Sequence, residues 1–199
     1  FLYSSDLQSE DKDTDITVLP KNAVVNNDYF AYGRNIEISG TVNGDVYIFG
    51  GQVFIDGIVN GDVIAVAGSI EISGIVKKDI RILAGQASIS GKIGRNITAI
   101  TASMELSPSA TVENNALIIA GNVDLESVLK KNLRLYASSV RISNKVYGNI
   151  KAYVGYMRLT SKANIQGEIE YWSNKEASID SNAQIKHTVI HHPSFFYKF

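Results

Sequence analysis

The sequence predicts an all-β chain folded as a parallel β-helix, a β-solenoid of triangular cross-section. Three observations predict it: a seventeen-residue block recurs along most of the chain, the same places in each block are apolar, and those places lie two apart. The blocks "GTVNGDVYIFGGQVFID" (residues 40–56) and "GIVNGDVIAVAGSIEIS" (residues 57–73) show the repeat directly. Others begin at Ala23, Gly74, Gly91, Ala110, Ser127, Asn144 and Ala163, which gives about nine turns and a partial tenth from Ala183. Spacing departs from seventeen through the two-residue insertions Pro108-Ser109 and Ser161-Lys162, an eighteenth residue in the block from Ala163, and the linking pair Ser181-Asn182. A unit that cannot bury its apolar face alone must stack on copies of itself, which is the logic of a solenoid.

Taken in order, residues 1–15 (FLYSSDLQSEDKDTD) are acidic and polar and predict a flexible arm. Residues 16–22, with "ITVLP", predict a short strand that caps the first turn, because the end of a solenoid exposes unpaired strand edges. Residues 23–190 predict the β-helix. The third place of each block (Val25, Val42, Val59, Val76, Ile93 and onward), the seventh (Tyr29, Val46, Val63, Ile80, Ile97) and the sixteenth (Ile38, Ile55, Ile72, Ile89, Leu106) all face inward in this reading. Pairs such as Val46 and Ile48, or Val53 and Ile55, follow a strand period and are mainly β-branched. Breaks are expected around Asn43-Gly44-Asp45, around Gly50-Gly51-Gln52 and at the Ser73-Gly74 seam, where glycine and asparagine tolerate a turn. Three corners give three sides, and nine turns at the strand spacing give a prism about 43 Å long. Residues 191–199 predict an aromatic tail, with Pro193 ending regular structure.

A chain of 199 residues, 45% hydrophobic and 20% charged, has the composition of a folded domain. Its net charge of -1 and lack of a basic block argue against nucleic acid as a partner. With no cysteine, disulfides and thiolate metal sites are excluded. No apolar run reaches the roughly 18 to 20 residues of a spanning helix, and a start at Phe1 without methionine predicts a processed or trimmed piece.

The unit GxVxGDVxxxxGxVxIxG, present as Gly57, Val59, Gly61, Asp62, Val63, Gly68, Ile70, Ile72 and Gly74, resembles the bactofilins, polymer-forming bacterial cytoskeletal proteins. The likeness extends over about residues 23–190. It implies a right-handed helix, end-to-end self-assembly without nucleotide, and attachment to a bacterial membrane. On that resemblance the chain is a non-enzymatic scaffold of the cell envelope or membrane, with either face open, that self-associates, takes no cofactor, and reaches the membrane through segments outside this sequence. The irregular later turns and aromatic end depart from the family's pattern and imply a membrane-tethered relative. The alternative is an extracytoplasmic β-helix binding module for a ligand or protein partner, using either the apolar tenth-place stripe or the region of Tyr147, Tyr153, Tyr156, Tyr171 and Trp172.

The main candidate interaction surface is the tenth place, apolar in every block: Tyr32, Phe49, Val66, Leu83, Ile100, Ile119, Tyr136, Tyr153 and Trp172. Strict alternation points these outward as a stripe suited to lateral association, whereas a kink at the adjacent corner tucks them into the core. The sixth place reads Asp28, Asp45, Asp62, Asp79, Asn96, Asn115, Asn132, Asn149 and Glu168. Stacked carboxylates suit calcium, but a corner ladder of side chains bonding nearby backbone is favoured, since the glycine-rich nonapeptides of calcium-binding β-rolls are absent. His187, His191 and His192 share one terminal segment and are expected to be solvated tail residues, not zinc ligands. Hexapeptide acyltransferases need an eighteen-residue turn and a coil histidine, pectate-lyase-like helices need long loops, and ice-binding faces need a threonine ladder that Thr98 and Thr101 do not make. Phe195, Phe196, Tyr197 and Phe199 beside Lys198 suggest a membrane-interface anchor combined with a cap over the last turn.

Overall fold

The computed structural model describes residues 16–194. Each regular turn is one ten-residue strand followed by one two-residue strand, as in Val46–Ile55 with Ile58–Val59 and Val63–Ile72 with Ile75–Val76. Every strand lies parallel to its equivalent one turn away; the long strands build a 12-stranded sheet and the short ones a 10-stranded sheet. The chain is a β-solenoid of about ten turns. The third-place residues form a vertical column, with Val25, Val42, Val59 and Val76 paired in strict register and the last three at 0% exposure. The column continues through Ile93 and Val112 as far as Ile165 and Ile185. Seventh- and sixteenth-place residues such as Val63, Ile80, Ile55 and Ile72 line the same continuous core.

One expected break is absent. The long strand does not end at Gly50-Gly51-Gln52: Gly50 pairs with Ala67 and Gln52 with Ser69, and only the residue between them leaves the ladder. The chain bends there without stopping, and one strand covers two sides of the prism. In the first coil this bend places Gly33 at a φ of 149°, a conformation that favours glycine.

The bend also solves a problem of parity. Side chains alternate in and out along a strand, so an odd repeat would turn its core face outward on each successive coil. Val46, Ile48, Val53 and Ile55 are buried, whereas Gly51 and Gln52 in succession are not. That one double step restores the phase on every coil. The three insertions of two residues preserve parity and sit at the seam. The odd extra residue of the ninth turn falls at the bend, where the long strand divides into Ile169–Ser173 and Ser178–Ile179.

The two ends differ. At the first turn, the strand Ile16–Leu19 pairs with Asn35–Ile38 and buries Leu19 against the core. It covers the second side only, so among the described residues Tyr29–Gly33 has no strand on its outer edge. At the other end, the strand Val189–Pro193 pairs with Ile169–Ser173 and, among the described residues, has no strand beyond it. That strand passes the boundary expected at residue 190, because His191 stacks on Tyr171 and His192 on Trp172. Pro193, which lacks an amide donor, suits a strand with a free edge.

Candidate interaction face

The parity of the long strand decides the direction of the tenth-place residues. In Val46–Ile55, Val46 and Ile48 are inward, so Tyr47 and Phe49 are outward, and the bend follows Phe49 without reversing it. Tyr32 is 76% and Phe49 71% exposed, and Val66, Leu83, Ile100 and Ile119 are exposed as well. Tyr136, Tyr153 and Trp172 are half-buried because they cover one another. Their rings stack with centroids 5.0 Å apart for Tyr136 and Tyr153 and 4.4 Å for Tyr153 and Trp172. His192 extends the stack at 4.6 Å from Trp172, and the Lys151 ammonium lies 4.8 Å from the indole centroid. The solvated-tail expectation therefore fails for two of the histidines. His191 also reaches the Ser173 carbonyl and His192 the Glu170 carboxylate, while His187 is exposed. Counting places from Ala183 puts His192 at the tenth, a signal present in the sequence.

The neighbouring eighth place was not recognisable as a surface from the repeat alone. At the first coils it too is apolar: Phe30 is 70% exposed and stacks on Tyr47 at 4.8 Å, with Ile64 above. Phe30, Tyr32, Tyr47, Phe49, Ile64 and Val66 thus form a two-column apolar patch at one end of the face. Further along, the eighth place becomes cationic at Arg81, Arg134 and Lys151.

The sixth place forms a corner ladder. The backbone N–H of Asp45 donates to the Asp28 carboxylate, Asp62 to Asp45, Asp79 to Asp62, and Asn96 to Asp79. The series runs on through Asn115, Asn132 and Asn149 to Glu168. Asparagine keeps the acceptor that the ladder uses and removes the charge. The four stacked carboxylates are met by Lys78, 3.8 Å from Asp45, and by Arg81, 2.9 Å from Asp62 and 3.2 Å from Asp79. Burial works to raise the Asp62 pKa, but the Asp79 amide and the Arg81 guanidinium outweigh it and hold the carboxyl below its ordinary value. Arg81 is raised in turn, chiefly by its hydrogen bond to Asp62. On the second side Arg141 bonds Asp124 and Glu126 and is likewise raised, first by Asp124. Among the described residues, no three His, Asp or Glu side chains are grouped to hold a metal ion, and no helix is long and apolar enough to cross a membrane.

The residues suggested for a ligand-binding region do not converge. Tyr171 is 3% exposed and points into the core, where its hydroxyl accepts from the Ala177 amide. Tyr153 and Trp172 lie on the first side, Tyr156 on the second and Tyr147 on the third, where Lys145 sits over its ring. The anchor or cap residues Phe195, Phe196, Tyr197 and Phe199, and the acidic arm 1–15, lie outside the described residues. No protein-family model, curated protein or solved structure matches the chain.

Proposed function

We propose that this chain is a non-enzymatic, self-associating structural module, a bactofilin-like scaffold of a bacterial cell envelope or membrane. One observation carries the reading: among the described residues both ends of the column present strand edges with no strand beyond them, Tyr29–Gly33 at one end and Val189–Pro193 at the other. Such edges template pairing with another chain unless they are covered. The two edges belong to the same sheet, with the same strand direction and the same pattern of inward side chains, so one end suits the other. The sequence resemblance carries the compartment and the membrane association.

Negative-stain microscopy and sedimentation over a range of concentrations test this reading. Filaments or sheets are expected from the unaltered chain, and dispersed particles from Ile185→Lys, which puts a charge on the half-buried end of the third-place column. The lysine stem can reach solvent at that open end, so the fold survives. A monomer at every concentration that instead saturates with a soluble ligand would favour the binding-module alternative.

A further inference from the structure

Going beyond end-to-end assembly, and standing without it, we infer that two copies of the chain pack side by side and parallel through the first side of the prism. In this arrangement the eighth-place column of each lies against the tenth-place column of the other.

Size, shape and charge select this occupant. About ten levels at about 4.8 Å, across a side about 13 Å wide, offer on the order of 600 Å² per partner. That approaches the roughly 800 Å² per partner of a standard stable interface. A straight strip ruled at the strand pitch is matched along its whole length by a second strip of the same pitch, and a second copy supplies one.

Two symmetric pairings exist. Antiparallel packing about the middle of the column sets eighth place against eighth and brings the apolar Tyr47 and Ile64 opposite the charged Glu170 and Lys151. Parallel packing sets each eighth-place residue beside the partner's tenth at the same level. Phe30 then meets the partner's Tyr32, Tyr47 the partner's Phe49, and Ile64 the partner's Val66. At later levels Arg134 meets the partner's Tyr136 and Lys151 the partner's Tyr153, whose rings cover one another's faces and offer a partner their phenol oxygens, acceptors for the guanidinium and the ammonium. Arg81, whose level carries Leu83 and no aromatic ring, is drawn off the face by Asp62 and Asp79. Arg134, and Lys151 with its eighth-place neighbour Glu170, stay on the face at levels that carry a tyrosine.

The chain has no cysteine, so introduced thiols report unambiguously. Mixing Thr98→Cys protein with Ile100→Cys protein and oxidising is expected to give a disulfide-linked heterodimer. Mixing Thr98→Cys with Leu117→Cys, the neighbours in the antiparallel alternative, is expected to give none. Neither pair meets in end-to-end contacts, so filament formation cannot produce or mask the result. Phe49→Asp, on an exposed side chain, is expected to leave the circular dichroism spectrum unchanged and to raise the dimer dissociation constant about thirtyfold or more, the size of an aromatic hot spot. Where filaments form, that variant should retain them at the width of a single prism. Cross-linking of positions 98 and 117, an absence of cross-linking between 98 and 100, or unchanged self-association of Phe49→Asp would overturn the inference.

Discussion

At Gly91 the backbone of one coil lies so close to the Gly74 carbonyl oxygen that a β-carbon would overlap it, and Gly74 stands the same way over Gly57. Gly91→Ala is therefore expected to cost about 3 kcal/mol, at the upper end for overpacking, read from urea unfolding. Gly85, at the bend, is a milder case: a β-carbon there would stand 2.8 Å from the Gly68 carbonyl oxygen, farther than at Gly91, and Gly85→Ala should cost less than Gly91→Ala in the same titration. Asp62 gives a pH signature. Its folded pKa lies below the ordinary value of 3.8, so its contribution is complete above that pH and disappears as pH falls through the folded value. Asp62→Asn keeps the acceptor for the Asp79 amide and loses the Arg81 pair. At pH 7 the variant should be less stable by no more than about 1 kcal/mol. In urea titrations at successively lower pH, the two proteins should converge below pH 4. A gap that persists or widens there would contradict this account of the corner.

At the scale of the element, parity governs which changes a coil accepts. Pro108 and Ser109 enlarge the seam after Leu106, and Ser109 bonds the Ser90 carbonyl. Deleting both restores a seventeen-residue coil with Thr111 and Val112 still in phase. That variant should unfold cooperatively with a loss of about 1 to 2 kcal/mol, the size of a lost turn with its hydrogen bond. Deleting Pro108 alone offers the core Thr111 in place of Val112 and should cost at least twice as much, or abolish the cooperative transition in urea. The same property explains what was legible in the sequence. The columns and seam glycines could be read from the repeat, because burial and close backbone approach each select residue type at a fixed place. The direction of the tenth-place stripe could not. An odd repeat must slip phase somewhere, and "GGQ" looks like a break whether the strand bends through it or ends. The usable signal was the pair of small or polar residues in succession at the bend, as in Gly68-Ser69, Gly85-Gln86 and Ala102-Ser103.

For the whole molecule, a regular repeat describes its middle better than its ends. A residue such as Val76 has an equivalent above and below, so its surroundings follow from its place alone. His191 and His192 are read as tail because histidine is neither apolar nor β-branched, yet the rings of Tyr171 and Trp172 one turn below give them flat surfaces to lie on. The eighth-place patch was obscured for a related reason: Phe30, Tyr47 and Ile64 give way to Arg81 and Thr98, so the column has no single character along its length. The proposed end-to-end and side-by-side contacts use different parts of the molecule, and Ile185→Lys and Phe49→Asp should separate them. A single prism would then make filaments through its tips and paired ribbons through its first side.

The hydrogen bonds between coils all run along the long axis, from each ladder residue to its equivalent one turn away. A pull on the two tips therefore loads the coils in series. The weakest layer gives first, at a tip where only one neighbour holds it, and each coil released adds about 58 Å of extended chain before the next is strained. Under tension such a rod lengthens in steps instead of snapping, which suits a part that must stay attached while what it joins moves apart.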